Sequence, residues 1–334
     1  MTILVTGGAG YIGSHTVVKL LEAGEDVLVI DNLCNSNSDV FNRIQLITNK
    51  SVNFIQGDIR DSALLKEIFA EFDISAVLHF AGLKSVQESS EKPDIYLDNN
   101  VNGSQILLNE MSLAGVKSIV FSSSATVYGK PIFLPYTEEH PLNPINIYGK
   151  TKLLVEESLN ALVTKDPTWR VMILRYFNPV GAHPSGLIGE NPNGLPNNLM
   201  PFVSQVAVGK HPYVSVFGND YETPDGTCLR DYIHIEDLAT GHMAALNYIK
   251  KNTGISILNL GTGKGTSVLD LIKSFEKACG KKINMAFKGR REGDLASYWA
   301  NAEKATKLLH WTAKLDIDDM CRDMWHWETS NLKK

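Results

Sequence analysis

The 334-residue chain has only four cysteines, Cys34, Cys228, Cys279 and Cys321. No two of them form CxxC, and none stands with a histidine at metal-ligand spacing, so thiols are expected rather than a disulfide framework or a zinc site. The nine histidines contain no HExxH, and no metal is expected. Basic charge is not in excess. The net charge of −5 excludes a general basic field for nucleic acid or for an anionic membrane. No apolar run is long enough to span a bilayer, and the first strand begins at residue 2, so no signal peptide is expected. A cytoplasmic location follows as the expectation. Internal repeats and low-complexity segments are also missing. What is present is an ordinary globular composition, 43% hydrophobic and 21% charged, with enough length for a large core and two lobes.

The chain is organised around its first 31 residues. Thr2 to Thr6 is a short apolar, β-branched run that reads as a buried strand. It leads into Gly7-Gly8-Ala9-Gly10-Tyr11-Ile12-Gly13, then a helix over 14–23 stopped by Gly24, and a second strand over 26–30 closed by Asp31. Side chains in such a turn would hold the backbone away from a pyrophosphate. With Gly7 and Gly10 bare, N–H groups and a helix N-terminus face the anion, and Gly13 lets helix and strand pack closely. The spacing is a variant of GxGxxG. Asp31 lies where a carboxylate can accept hydrogen bonds from an adenosine ribose. Asn32, Leu33 and Cys34 follow it without an Arg or Lys for a 2′-phosphate, so NAD is expected rather than NADP.

Strand and helix patterns then alternate. Strands are expected at 52–56, 76–80, 117–121 and 169–176, with helices at 62–71, 94–115 and 148–163. The fold class is therefore α/β, a Rossmann-type doubly wound parallel sheet, with a smaller C-terminal α/β substrate domain. Residues 1–177 form the dinucleotide-binding part, to which segments of about 226–262 return, and 178–334 mainly the substrate part. Asp58, past a strand end, can accept from an adenine amino group or serve as a turn or cap residue. Ala81 and Gly82 let the backbone pass close to a cofactor, and Lys84 can reach a phosphate. Asn99 and Asn100 are poor helix residues, so one of them is expected to turn inward. His79 reads as a core histidine. Gly261 to Gly265 imitates a P-loop, but Lys264 is followed by Gly265 rather than Ser or Thr.

Tyr148 and Lys152 are four apart on a helix and share a face. A phenol with a pKa of about 10 is a poor base at neutrality. An ammonium beside it, together with a cationic nicotinamide ring, favours the phenolate. Bringing it to neutrality takes about 4 kcal/mol of differential interaction. Ser124, last of three serines after a strand, can hydrogen-bond the same substrate oxygen. The three residues give a base, its tuning cation and a hydroxyl relay.

A resemblance enters with these residues. TGGAGYIGSH at 6–15, DNLCN at 31–35, HFAGLK at 79–84, SSSATVYG at 122–129 and YGKTK at 148–152 resemble the extended short-chain dehydrogenases/reductases. RYFNPVGAHPSG at 175–186, PNNLMP at 196–201, FGNDY at 217–221, RDYIH at 230–234 and RREGD at 290–294 narrow the resemblance to bacterial UDP-glucose 4-epimerases, over residues 1 to about 328. It implies interconversion of UDP-galactose and UDP-glucose through a 4-keto sugar, with hydride held transiently by tightly bound NAD. Tyr148 would take the C4 hydroxyl proton, assisted by Ser124.

On the cofactor side the resemblance implies Tyr11, Ile12, Asp31, Asn32, Asn35 and Ser36. Asp58, Ile59, Phe80, Ala81, Gly82, Lys84 and Asn99 follow, with Ser124, Tyr148, Lys152 and Phe177. On the substrate side it implies Ser124, Tyr148, Asn178, Asn198, Leu199, Phe217, Arg230, Arg291, Asp294 and Tyr298. Arg230 and Arg291 suit a pyrophosphate, and Asp294 suits ribose hydroxyls. Without the resemblance Arg291 reads as a solvated loop charge. Tyr298 resembles the form that narrows the sugar pocket, so weak or no activity on UDP-N-acetylglucosamine is expected. Ile147 stands where many relatives have Pro, which bears on the helix start. One alternative, a nucleotide-sugar 4,6-dehydratase, resembles Thr-Asp-Glu after the serine strand, where this chain has Ser124-Ala125-Thr126. Another, a non-catalytic NAD-binding regulator, would usually lack the Tyr/Lys pair. Family members are typically homodimers, so a homodimer is expected, with no nucleic-acid or membrane partner.

Overall fold

The computed structural model describes residues 1–191, 198–291 and 293–331. Seven strands make its central sheet: β1 (Thr2–Thr6), β2 (Asp26–Asp31), β3 (Asn53–Gln56), β4 (Ile74–His79), β5 (Ser118–Ser122), β6 (Arg170–Tyr176) and Gly254–Leu260. Their order is Gly254–Leu260, β6, β5, β4, β1, β2, β3, and each pairing is parallel. Parallel neighbours need crossovers rather than hairpins, so helices cover both faces. The winding reverses between β1 and β4, and the crevice at such a point is where open α/β sheets bind ligands.

The strand period of two separates two cores. Ile3 and Val5 of β1 join Val17, Leu20, Val29, Met172 and Leu246 on one face. Leu4 joins Leu28, Leu65, Leu107, Val155 and Ile173 on the other. These side chains are fully or almost fully buried, each worth roughly 1.5–3 kcal/mol by burial. Helix α1 (Tyr11–Glu22) packs against the Ile235–Ile249 helix over the first core. The Ser62–Glu71, Gly103–Leu113 and Ile147–Lys165 helices cover the second.

Two departures from the sequence pattern matter for the site. Residues 94–115 are not one α-helix: Pro93–Tyr96 passes into a π-helical turn, Leu97–Asn102, before Gly103–Leu113. The cause is Asn100, whose Oδ1 accepts from Leu83 N at 2.7 Å while its Nδ2 donates to Leu83 O at 3.0 Å and Thr151 Oγ1 at 3.2 Å. Asn99 donates to the same Oδ1 at 2.9 Å. π-turns of this kind tend to occur at functional sites. The second departure is Ile147, which leaves the next helix start intact, because Asn146 Oδ1 caps it by accepting from Gly149 N at 2.8 Å.

Beyond β6 the chain builds smaller units. Asn178–Val180 pairs with Tyr232–His234, and Val214–Phe217 with Met285–Lys288. Leu199–Ala207, Val268–Cys279 and Ile317–Asn331 share a third core of Val203, Val214, Leu271, Phe275 and Met324. Ala305, on the Glu303–Leu309 helix, returns to the first core, as does Trp311. The P-loop imitation holds an anion of the chain's own: Asp231 accepts from Thr262 N at 2.8 Å, Thr262 Oγ1 at 2.7 Å and Gly263 N at 3.0 Å. Among the described residues no helix is long and apolar enough to cross a membrane.

Candidate active site

The carboxyl ends of β1, β2 and β4 open into a cleft of about 2230 Å³ that continues under Arg230 and Arg291. That exceeds the ~300–1,000 Å³ typical for one drug-sized ligand and leaves room for two nucleotides. At its floor Gly7 has φ +72°, and a Cβ there would stand 2.6 Å from Ala81 N; one on Gly13 would stand 2.3 Å from Gly7 O. Glycine is required at both. Gly10 caps α1 without a side chain, so the helix N-terminus is open toward the cleft. The Asp31 carboxylate is fixed by Ala9 N at 3.0 Å, Leu33 N at 2.9 Å and Ser36 Oγ at 2.9 Å.

Tyr148 and Lys152 are both buried in the cleft wall, on one face of the Ile147–Lys165 helix. Lys152 Nζ lies 5.9 Å from the Tyr148 ring centroid and donates to Ser122 O at 2.9 Å. Burial dominates the titration of both, since each charged form loses hydration. It pushes the Tyr148 phenol well above its usual range, against a hydrogen bond from Ser124. It brings the Lys152 ammonium down to about 8, against the pull of Glu156. In the protein alone, without the cationic nicotinamide ring, burial and the neighbouring Tyr176 set the direction of the phenol's shift. Ser124 Oγ caps the turn Ala125–Val127 by accepting from Thr126 N at 3.2 Å.

On the opposite wall the Tyr298 hydroxyl donates to Asn178 Oδ1 at 3.0 Å, and the Arg230 guanidinium lies 4.6 Å over the Tyr298 ring. Arg230 also faces Asp294 at 3.6 Å. Arg291 lies 4.4 Å over Phe217, a cation–π contact that holds an exposed loop charge over the cleft.

The family whose model matches residues 4–324 is described as GDP-mannose 4,6 dehydratase. The UDP-glucose 4-epimerase of Bacillus subtilis is 54% identical over 332 residues, covering 99% of this chain and 98% of its own. That of Pasteurella multocida is 55% identical, covering 100% and 99%. The crystal structure of UDP-glucose 4-epimerase from Bifidobacterium longum in complex with NAD+ and UDP matches with a TM-score of 0.96, at 51% identity over 99% of each chain. The chain belongs to the UDP-glucose 4-epimerase family.

Within this epimerase cleft the cofactor-side residues Tyr11, Ile12, Asn32, Asn35, Ile59, Phe80, Gly82, Lys84, Asn99 and Phe177 all line the wall. So do Asn178, Asn198, Arg230, Arg291, Asp294 and Tyr298. Three residues named from the resemblance sit behind it. Asp58 is engaged by Asn32 Nδ2 at 2.9 Å and Arg60 Nη2 at 2.7 Å, and the Arg60 guanidinium holds its carboxyl well below the usual carboxylate range. Leu199 packs on the third core, and Phe217 lies beneath Arg291. Pro196, Asn197 and Glu292 of the quoted motifs lie outside the described residues. Ala125 occupies the place of the dehydratase acid. His79 is a satisfied core histidine, bonded to Thr6 Oγ1 at 2.7 Å and Ser104 Oγ at 2.8 Å, with its pKa pushed down to about 3 by burial. Sequence reading missed Glu190, a buried carboxylate in the wall. A lone Glu in a stretch rich in Gly, Pro and Asn carries no signal that would have found it.

Proposed function

We propose that this chain interconverts UDP-galactose and UDP-glucose by inverting C4 of the sugar, with NAD retained through the cycle. The observation that carries it is one cleft whose glycine-lined floor and arginine-lined far side meet at Tyr148, Lys152 and Ser124. The residues fit NAD: Gly7, Gly10 and the open α1 N-terminus suit its pyrophosphate, and Asp31, with no basic side chain in Asn32 to Asn37, suits an unphosphorylated ribose. Bound there, NAD would supply the hydride acceptor and donor for C4.

The protein does the rest. Tyr148 accepts the proton of the C4 hydroxyl, with Ser124 bonded to the same oxygen, and the Lys152 ammonium stabilises the phenolate. Arg230 and Arg291 hold the UDP pyrophosphate, so the keto sugar can turn about that link without leaving. Tyr148 then gives the proton back as hydrogen returns to the opposite face. Residues 1–177 with the returning strand and helix serve the cofactor, and 178–334 mainly the sugar nucleotide. A homodimer is part of the proposal, supported by the exposed Ile95, Leu113 and Ile145 at the ends of the Pro93–Leu113 and Ile147–Lys165 segments. So is a cytoplasmic location, supported by a sequence with only four cysteines and no CxxC spacing among them.

The decisive experiment gives purified protein UDP-galactose labelled with deuterium at C4 and no added dinucleotide. UDP-glucose keeping the label is the expected product. No conversion, label passing to free coenzyme, or a 4-keto-6-deoxy sugar would refute the reading. Tyr298 sets the substrate range in the same scheme, because its ring is pinned between Arg230 and Asn178. UDP-N-acetylglucosamine is expected to turn over poorly, and Tyr298→Cys to raise kcat/KM for it about tenfold or more, the equivalent of at least ~1.4 kcal/mol. Equal rates on the two sugars in the unaltered protein would count against this.

A further inference from the structure

Glu190 is 7% exposed and belongs to the cleft wall. Its Oε1 accepts from Lys84 Nζ at 2.7 Å and from Asn198 Nδ2 at 3.0 Å, and its Oε2 lies 3.3 Å from the same Nδ2. Lys84 comes from the segment after β4, beside the glycine turn. Asn198 stands at the N-cap position of the Leu199–Ala207 helix, in the part of the chain after β6, and its side chain makes no capping bond there. One carboxylate therefore bonds a cation on the cofactor side and an amide on the sugar-nucleotide side.

Its position is fixed from behind. Gly189 lies against Trp327, where a Cβ would stand 2.7 Å from Cγ. Arg43 lies 5.1 Å over the same indole and donates to Leu187 O at 3.0 Å. A buried carboxylate in a cleft that receives phosphates is unfavourable in itself, through lost hydration and like-charge repulsion. After burial, it is the main cause that raises the Tyr11 phenol well above its usual range. Lys84 offsets that charge, and Glu190 in turn restrains a long, half-exposed ammonium that would otherwise sample many rotamers.

We propose that Glu190 is a positioning residue that couples the two halves of the cleft, setting Lys84 and Asn198 against each other so that engagement of one changes the other. Lys84 and Asn198 then contribute non-additively, because each holds the carboxylate where the other needs it. The inference rests on the function proposed above, and the test separates the two: an unaltered protein that fails to convert UDP-galactose ends the functional reading, not this one.

With that activity in hand, Lys84→Met, Asn198→Ala and the double variant are compared by kcat/KM for UDP-galactose, in the unaltered and the Glu190→Gln backgrounds. In the unaltered background the double variant is expected to lose about fivefold less than the product of the single losses; after Glu190→Gln the product rule should hold within about twofold. Glu190→Gln alone is expected to raise KM about fivefold while kcat, retained NAD and Tm stay close to the unaltered values. Glu190→Asp, too short to reach both partners, is the second background and should also abolish the coupling. Additive losses in the unaltered background, or coupling that survives both substitutions, would overturn the proposal. A fall in Tm and kcat without loss of coupling would do the same, by reducing Glu190 to a structural residue.

Discussion

Tyr148→Phe is expected to lower kcat for UDP-galactose by about a thousandfold, within the ~10²–10⁴ range of a lost acid–base group, and to leave the fold and bound NAD in place. The ring is buried at the wall of the cleft, with Ser124 within hydrogen-bond reach of its hydroxyl, and in the proposed reaction that hydroxyl takes the C4 proton. Phenylalanine fills the same space and keeps the packing, so the loss reads the proton transfer itself. The sign of the pH dependence follows from the same site. Burial holds the phenol protonated at neutrality in the protein alone, so the rate should climb with pH as the phenolate forms. With NAD bound, its cationic ring and the Lys152 ammonium both favour that phenolate; Lys152, whose pKa burial brings down to about 8 in the protein alone, does so only while it stays charged. Lys152→Met should therefore move the rising limb of kcat to higher pH. A Tyr148→Phe protein with a tenth of the original kcat, or an unmoved limb after Lys152→Met, would show that another group is the base.

Arg175→Met is expected to destabilise the protein by about 3–5 kcal/mol, the usual result of leaving one partner of a buried ion pair alone. Arg175 on β6 and Glu156 on the Ile147–Lys165 helix are 2% and 4% exposed, with Nη2 and Oε2 2.6 Å apart. Glu156 also accepts from Arg175 Nε at 3.1 Å and from Ser123 Oγ, and Arg175 Nη1 donates to Tyr128 OH at 3.3 Å. The pair ties the helix that carries Tyr148 and Lys152 to the sheet. Urea unfolding should show a lower midpoint at unchanged slope. Adding Glu156→Gln should recover a large part of the loss, because no uncompensated charge is then buried. A loss below about 1 kcal/mol for Arg175→Met alone would mean that the carboxylate finds another partner.

The parts of this site that repeat a local rule could be read from the chain. Gly7, Gly10 and Gly13 sit in a fixed strand–turn–helix geometry, and Tyr148 and Lys152 share a helix face by spacing alone. The alternation of strands and helices indicates the parallel sheet, with the strand boundaries off by no more than two residues and some, such as Thr2–Thr6, not at all. What could not be read depends on partners far away in sequence. The inward turn of Asn99 or Asn100 was legible from composition, but the π-turn needed Leu83 and Thr151. Arg291 reads as a solvent charge until Phe217 is seen beneath it. The burial of Tyr148 and Lys152 was not legible either, because spacing on a helix reveals a shared face and not how far that face is desolvated. Glu190 has neither a motif nor a period, and only the meeting of Lys84 with Asn198 makes it visible.

The strand Gly254–Leu260 pairs with β6 residue for residue, from Gly254 with Arg170 to Leu260 with Tyr176. Until it arrives, β6 is a bare rim of unpaired amides and carbonyls flanked by Val171, Ile173 and other apolar side chains, a template for joining another chain. A nascent polypeptide must carry that rim while more than 75 further residues leave the ribosome, between residue 177 and residue 254. A fragment stopped after residue 177 would keep it permanently and would be prone to aggregate rather than to stand alone as a dinucleotide carrier. The glycine-lined half of the cleft thus depends for its solubility on residues made long after it.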